Sequence, residues 1–290
     1  MRVTNNILIT NLKRNLSNSL GKLNIAQNQL ATGQRISKPS DDPAGIVDIL
    51  RLKPRLAENQ QYQENVDDAM AWMANSDESL DTMSAALNRM YELTVYAANG
   101  ILADAELNSI SAELQQISEE FKGIVNSTMG DKYIFAGTLM KQVVYDETGW
   151  HNNTSVTEYE ISKGVTIPVN LHADQIFKVP QDIFQTTSDL IAAVEAGDSA
   201  AINASMDLVK QHQEQALSCR AQLGARMNRL ELTDSRLKEL EINYTSLRSD
   251  AEDIDPAQVM IDLKSQESVY QSALSVGARI IVPSLMDYLR

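Results

Sequence analysis

The sequence predicts a mainly α-helical chain: an elongated antiparallel bundle of long helices, with coiled-coil helices at its two ends and a small antiparallel β region inserted in the middle. Three observations predict it. Apolar residues recur at alternating steps of three and four over most of the 290 residues. Between 133 and 171 the pattern changes to short runs rich in Val, Ile, Thr and Tyr. The composition is 43% hydrophobic but only 5% aromatic, which favours helix-on-helix packing over an aromatic-lined cleft.

The first helix runs from residue 4 to about 32 on a stripe of Ile9, Leu12, Leu16, Ser19, Leu23, Ala26 and Leu30, and Gly33 stops it. Residues 34–40 link it to a new helix, with Pro39 keeping the chain extended. Asp42 is placed to cap that helix and Pro43 to open it, where a missing amide hydrogen costs nothing. Asp41 adds negative charge at the favourable end of the helix dipole. The helix continues to about Ala98, with Pro54 a candidate kink, and its later half carries Ala69, Met73, Ser76, Leu80, Met83, Leu87, Met90, Thr94 and Ala97. Fifty or more residues at a helical rise make a rod of roughly 80 Å. Asn99 and Gly100 close it. Asp104 opens the next helix, striped by Leu107, Ile110, Leu114, Ile117, Phe121 and Ile124, and Gly130 ends it.

Four strand-like runs follow, at 133–138, 142–149, 154–162 and 164–171, and are expected to form one small sheet on an exposed tip. A short helix at 182–196 breaks at Gly197 and Asp198. A second rod then carries Ile202, Val209, Ala216, Cys219, Leu223, Leu230, Leu237, Tyr244 and Leu247 on one seam, with Arg226 its charged member, and packs on the two earlier long helices. Asp255 and Pro256 repeat the Asp-Pro device and start the last helix, whose stripe is Val259, Leu263, Gln266, Tyr270, Ala273, Gly277 and Ile280; Pro283 bends or ends it. The domain division is therefore 1–40 with 256–290 as paired terminal helices, 41–131 with 198–255 as a helical rod, and 132–197 as a β-rich insertion with a short helix.

Acidic residues number 39 against 25 basic, a formal net charge of -14, which repels a nucleic-acid backbone over most of the surface. Residues 1–40 are the exception, with Arg2, Lys13, Arg14, Lys22, Arg35 and Lys38 and no acidic side chain; such a run is either a solvated face or a contact for an acidic partner. No run is long and apolar enough for a membrane span, and the start lacks the hydrophobic core and cleavage site of a secretory signal. One cysteine, Cys219, excludes an intramolecular disulfide, and on a helical seam it reads as a buried inert thiol. His151, His172 and His212 have no metal-binding spacing, and His212 falls on the second rod's seam. Adjacent carboxylates such as Asp67 and Asp68 diverge on a helix, and no glycine-rich nucleotide loop is present. Met73, Met83 and Met90 are core positions. No nucleophile, base and orienting group share a location, so no catalytic residue, cofactor or metal is expected.

Several of these residues carry a resemblance. LATGQRISKPSDDPAG at 30–45, after an Asn- and Ser-rich amphipathic helix, resembles the N-terminal region of bacterial flagellins and flagellar hook-associated proteins. Pro39 ahead of Ser40-Asp41-Asp42-Pro43, YIFAGT at 133–138 and the ending SLMDYLR at 284–290 look more like the hook-associated members than the flagellins. Ala31-Thr32-Gly33 stands where family members commonly have Ser-Ser-Gly. The resemblance covers residues 1–140 and about 200–290.

It implies an extracellular structural subunit that joins the hook to the flagellin filament and is exported through the flagellar type III apparatus without a cleaved signal. The implied partners are the first hook-associated protein, flagellin, other copies of the chain and a cytoplasmic export chaperone. The terminal pairing residues are then Ile9, Leu12, Leu16, Leu23 and Leu30 with Val259, Leu263, Tyr270, Ala273 and Ile280. Asp42 with Pro43, and Asp255 with Pro256, fix the bends between terminal helices and rod, and Leu285, Tyr288 and Leu289 are expected to meet the chaperone or the next subunit. Two other functions fit the residues: a flagellin-type filament subunit, and an extracellular adhesion or binding module that uses the β region.

Overall fold

A computed structural model of the chain describes residues 2–99 and 103–281. Its elements in order are α1 (Arg2–Thr32), α2 (Pro43–Asn99), α3 (Asp104–Val125), β1 (Thr128–Met129), β2 (Lys132–Tyr133), β3 (Tyr145–Asp146), β4 (Gly149–Trp150), β5 (Glu158–Ser162), β6 (Val165–Pro168), α4 (Ala173–Phe177), α5 (Ile183–Ala196), α6 (Ser199–Glu252) and α7 (Pro256–Ile281). They form two compact units, one from residues 1–58 and 240–290 and the other from 59–239.

The larger unit is built on the antiparallel pairing of α2 with α6. Asn59 Nδ2 donates to the carbonyl of Leu237 at 2.9 Å, Arg220 binds Asp77 and Asp81 at 3.0 and 2.6 Å, and Gln213 reaches Asn88 at 2.9 Å. All nine residues of the predicted α2 stripe from Ala69 to Ala97 are buried. So are seven of the α6 seam, Ile202 through Leu237. Burial of each large apolar side chain is worth about 1.5–3 kcal/mol, which is why a stripe repeated over many turns holds helices that carry few strong polar ties. α3 lays Ile110, Leu114, Ile117, Phe121 and Ile124 into the same core and packs against α5. Pro54 lies inside α2, which is assigned as one continuous helix through it.

Several local expectations are corrected. α3 does open at Asp104, but the cap ahead of it comes from another residue: Glu106 reaches back to the amide of Ala103, the residue before the first turn, at 3.2 Å. α3 ends at Val125, so Gly130 does not stop it and instead supplies the left-handed turn residue (φ 63°) between β1 and β2. Leu247, predicted on the α6 seam, is 48% exposed, whereas Tyr244 ahead of it on the same seam is half-buried. Gly197, with φ 66°, terminates α5 as predicted, and Asp182 and Asp198 cap α5 and α6.

The β region is not one sheet. It consists of three separate antiparallel hairpins, β1 with β2, β3 with β4 and β5 with β6. YIFAGT contributes one strand residue, Tyr133; Ile134, Phe135 and Ala136 are buried by side-chain packing rather than by a ladder. Asn126, at the C-terminus of α3, takes the place of a neighbouring strand: its Oδ1 accepts the Val144 and Tyr145 amides at 3.0 Å and its Nδ2 donates to the Tyr145 carbonyl at 2.8 Å. The β3–β4 hairpin is then held by aromatic contacts. Tyr145 stacks on Phe184 at 4.0 Å, and Trp150 donates to Asp182 at 2.6 Å, tying the hairpin to the cap of α5.

Candidate assembly interface

The helical stripes at the two ends meet within the smaller unit. α1 packs along α7, and the pair is antiparallel: Gln34 bridges Asp253 at one end, and near the other a side chain at Gly277 would stand 2.8 Å from Leu12 Cδ2. Gly277 is buried. Ile9, Leu12, Leu16, Leu23 and Leu30 are half-buried, with the smaller Ser19 and Ala26 buried between them. On α7, Val259, Leu263, Gln266, Tyr270 and Ala273 are half-buried. Ile280 lies in α7 but its side chain, like Leu285, Tyr288 and Leu289, lies outside the described residues, as do Gly100 and Pro283.

Two helices in contact cover only one stripe on each. The remaining apolar residues of this pair face outward. Ile7, Leu8, Leu20 and Ile25 on α1, and Met260, Ile261, Val269, Leu274 and Val276 on α7, are between 46% and 62% exposed. Around them α1 carries Lys13, Arg14 and Lys22 without an acidic residue, whereas α7 is mixed, with Asp262 and with Glu267 paired to Lys264 at 2.9 Å.

The linkers into this pair are tightly organised. Gly33, at φ 72°, turns the chain out of α1 in a conformation that a side chain would disfavour. Asp42 Oδ1 accepts the Ala44 and Gly45 amides at 3.1 Å, and those amides, Gly45 first, hold its carboxyl below the usual range with help from Arg35. Asp41 closes the preceding turn, accepting the Lys38 amide at 2.9 Å and the Ser37 amide at 3.2 Å. Asp255 Oδ1 accepts the Ala257 and Gln258 amides at 2.9 and 3.3 Å, and Pro43 and Pro256 are the first helical residues.

A clasp joins the two linkers, and the sequence reading missed it. The Arg35 amide donates to the Glu252 carbonyl at 2.7 Å, and the Ile254 amide donates to the Gly33 carbonyl at 3.2 Å. Glu252 itself is buried, and its Oε1 accepts Gln34 Nε2 at 2.7 Å and Lys53 Nζ at 3.2 Å. Arg35 adds a contact to the Ala251 carbonyl at 3.0 Å and one to Asp42 at 3.3 Å. In the sequence Glu252 is one of five acidic residues between 250 and 262, and nothing distinguishes it from its exposed neighbours.

The other candidate chemistries take structural places. Cys219 is buried, and burial pushes its thiol up. His172 Nδ1 accepts the Gln175 amide at 3.3 Å and caps α4, while His151 lies 3.0 Å from Asp146 on the β3–β4 hairpin. Among the described residues no group of His, Cys, Asp and Glu is arranged to hold a metal ion, and no helix is long and apolar enough to cross a membrane.

A mainly helical chain whose N- and C-terminal helices pair with each other, with a β insertion in mid-chain, has the architecture of a structural assembly subunit. The chain belongs to the bacterial flagellin family, in the part that includes the hook-filament junction proteins: residues 3–139 match the bacterial flagellin N-terminal helical region and residues 206–289 the C-terminal helical region. It is 25% identical to flagellar hook-associated protein 3 of Salmonella typhimurium, over 94% of this chain and 95% of that protein. It is also 25% identical to a flagellin of Bacillus subtilis, over 96% of each. In structure it is similar to a Vibrio parahaemolyticus protein assigned as flagellar hook-associated, with a TM-score of 0.69 and 23% identity over 73% of this chain and all of that one.

Proposed function

We propose that this chain is a structural, non-catalytic subunit of the bacterial flagellum that joins the hook-associated region to the flagellin filament and is incorporated through its terminal helices. The observation that carries the reading is the α1–α7 pair, which covers one apolar stripe on each helix and leaves a second row on each exposed. Apolar rows of that length on a soluble surface are contact surfaces for other chains. The neighbours are the first hook-associated protein, flagellin and further copies of this chain. Before assembly, a cytoplasmic export chaperone covers one end. The working location is outside the cell. The domain scheme that goes with it sets the terminal pair, 1–40 with 256–290, apart from the rod, 41–131 with 198–255, and the insertion, 132–197.

Leu16→Asp and Leu263→Asp test it, since each places a charge in the half-buried seam, where it is costly unless paired. Both variants are expected to keep the far-ultraviolet circular dichroism and Trp fluorescence of the larger unit while failing to incorporate at hook ends. Normal incorporation of both would remove the terminal pair from the assembly mechanism. A filament-forming role, as in flagellin, is favoured by the equal identity to the Bacillus subtilis flagellin. Long polymers formed by the purified chain alone would decide for it, whereas addition only to hook ends decides for the junction role.

A further inference from the structure

Two apolar stripes do not by themselves fix how α1 and α7 align lengthwise. The stripe residues recur at heptad spacing, Leu16, Leu23 and Leu30 on α1 and Leu263, Tyr270 and Gly277 on α7, so a slip of one heptad, about 10 Å, again sets apolar against apolar. Directional bonds between the two ends lie at the clasp, where Gly33, Gln34 and Arg35 meet Ala251, Glu252 and Ile254. There a single bridge, Gln34 with Asp253, joins two linkers, and so short a pairing is marginal without support.

Glu252 supplies the support from three sides. It is the last residue of α6, its side chain holds Gln34 of the first linker, and it holds Lys53 of α2. A carboxylate has acceptor sites for both donors at once, and Arg248, at 3.9 Å, faces its second oxygen. Lys53 is half exposed, so its own charge does not need the pair; the buried partner is the one whose placement the pair decides. We propose that Glu252 is the positioning residue that sets the axial register of α1 against α7, by clamping Gln34 to the end of α6 so that Leu12 lies opposite Gly277.

The consequence for assembly rests on the function proposed above, but the register itself does not, so the two fail separately. The test is oxidative crosslinking in the full chain, with Leu12→Cys combined either with Gly277→Cys, which reports the observed register, or with Tyr270→Cys, which reports a one-heptad slip. Cys219, buried in the other unit, stays in place. In the parent background the first pair is expected to close and the second to remain open. Glu252→Ala should shift the ratio severalfold toward the slipped pair. Gln34→Glu with Glu252→Gln, which rebuilds the amide–carboxylate bond in reverse, should restore the parent ratio. A merely structural role would lower both crosslinks without changing their ratio. An unchanged ratio in Glu252→Ala, no rescue by the exchange, or no closure of the first pair in the parent would each overturn the proposal.

Discussion

Acidification is expected to weaken the larger unit through one buried imidazole. His212 is fully buried on α6, 3.3 Å from the hydroxyl of Thr186 on α5. That hydroxyl donates to the Asp182 carbonyl at 3.1 Å, so it receives the imidazole Nε2–H, and Nδ1 keeps a lone pair with no partner among the described residues. Protonation at Nδ1 would bury an N–H donor and a charge with no acceptor. Burial lowers the His212 pKa from 6.5 to about 4, and the Asp182 carboxylate opposes this only in part. The folded value lies below the unfolded one, so the unfolded chain binds more protons between pH 6.5 and about 4, and stability falls as pH falls through that window. The full loss is about 3 kcal/mol, of which about 2 kcal/mol is reached by pH 5. Above pH 6.5 this group contributes no pH dependence. Urea unfolding at stepped pH, followed by the fluorescence of Trp72 and Trp150, both in the larger unit, measures it against His212→Gln. The variant keeps a hydrogen-bonding group for Thr186 and does not titrate, so its profile should be flatter by about that amount. Parallel profiles for the two chains between pH 4 and 6.5 would refute the reasoning.

Three further substitutions read the local geometry. Asp255→Ala removes the acceptor for the Ala257 and Gln258 amides and should cost the start of α7 about 1 kcal/mol, seen as faster hydrogen exchange at those amides. Asp42→Ala should speed exchange at Ala44 and Gly45 in the same way. With the native Asp42, whose carboxyl is held below its ordinary 3.8, the cap should survive at pH 3.8 and be lost only as pH falls through the lowered value. Gly137→Ala puts a Cβ on a residue at φ 73° and onto the backbone carbonyl and side-chain amide oxygens of Asn153. The left-handed conformation alone costs about 1–2 kcal/mol, and the overlap adds to it, so a lower melting temperature for the larger unit is expected. An unchanged one would mean that the 136–138 turn relaxes freely.

The sequence alone determined the long helices and most of their seams, but not the short α4 or the end of α3, where Gly130 falls in a later turn. Burial at steps of three and four is a local property of a helix, so the α2 stripe, the α6 seam through Leu237 and the terminal stripes were all readable from spacing. The two Asp-Pro starts were readable for the same reason, because a cap acts within three residues of itself. The motif at 30–45 and the ending carried the family. What depended on residues far apart in the chain was decided only by the tertiary structure. YIFAGT has strand composition, but Asn126 and Asn153 and the aromatic residues of the β3–β4 hairpin and α5 turn the region into three hairpins rather than a sheet. The outward apolar rows of α1 and α7 are visible as rows only once the pair has covered the other stripes. Glu252 shows the difference most plainly: in the sequence it is one more acid in an acidic chain. Only the crossing of two linkers, 218 residues apart at Gln34 and Glu252, removes it from water and gives it partners.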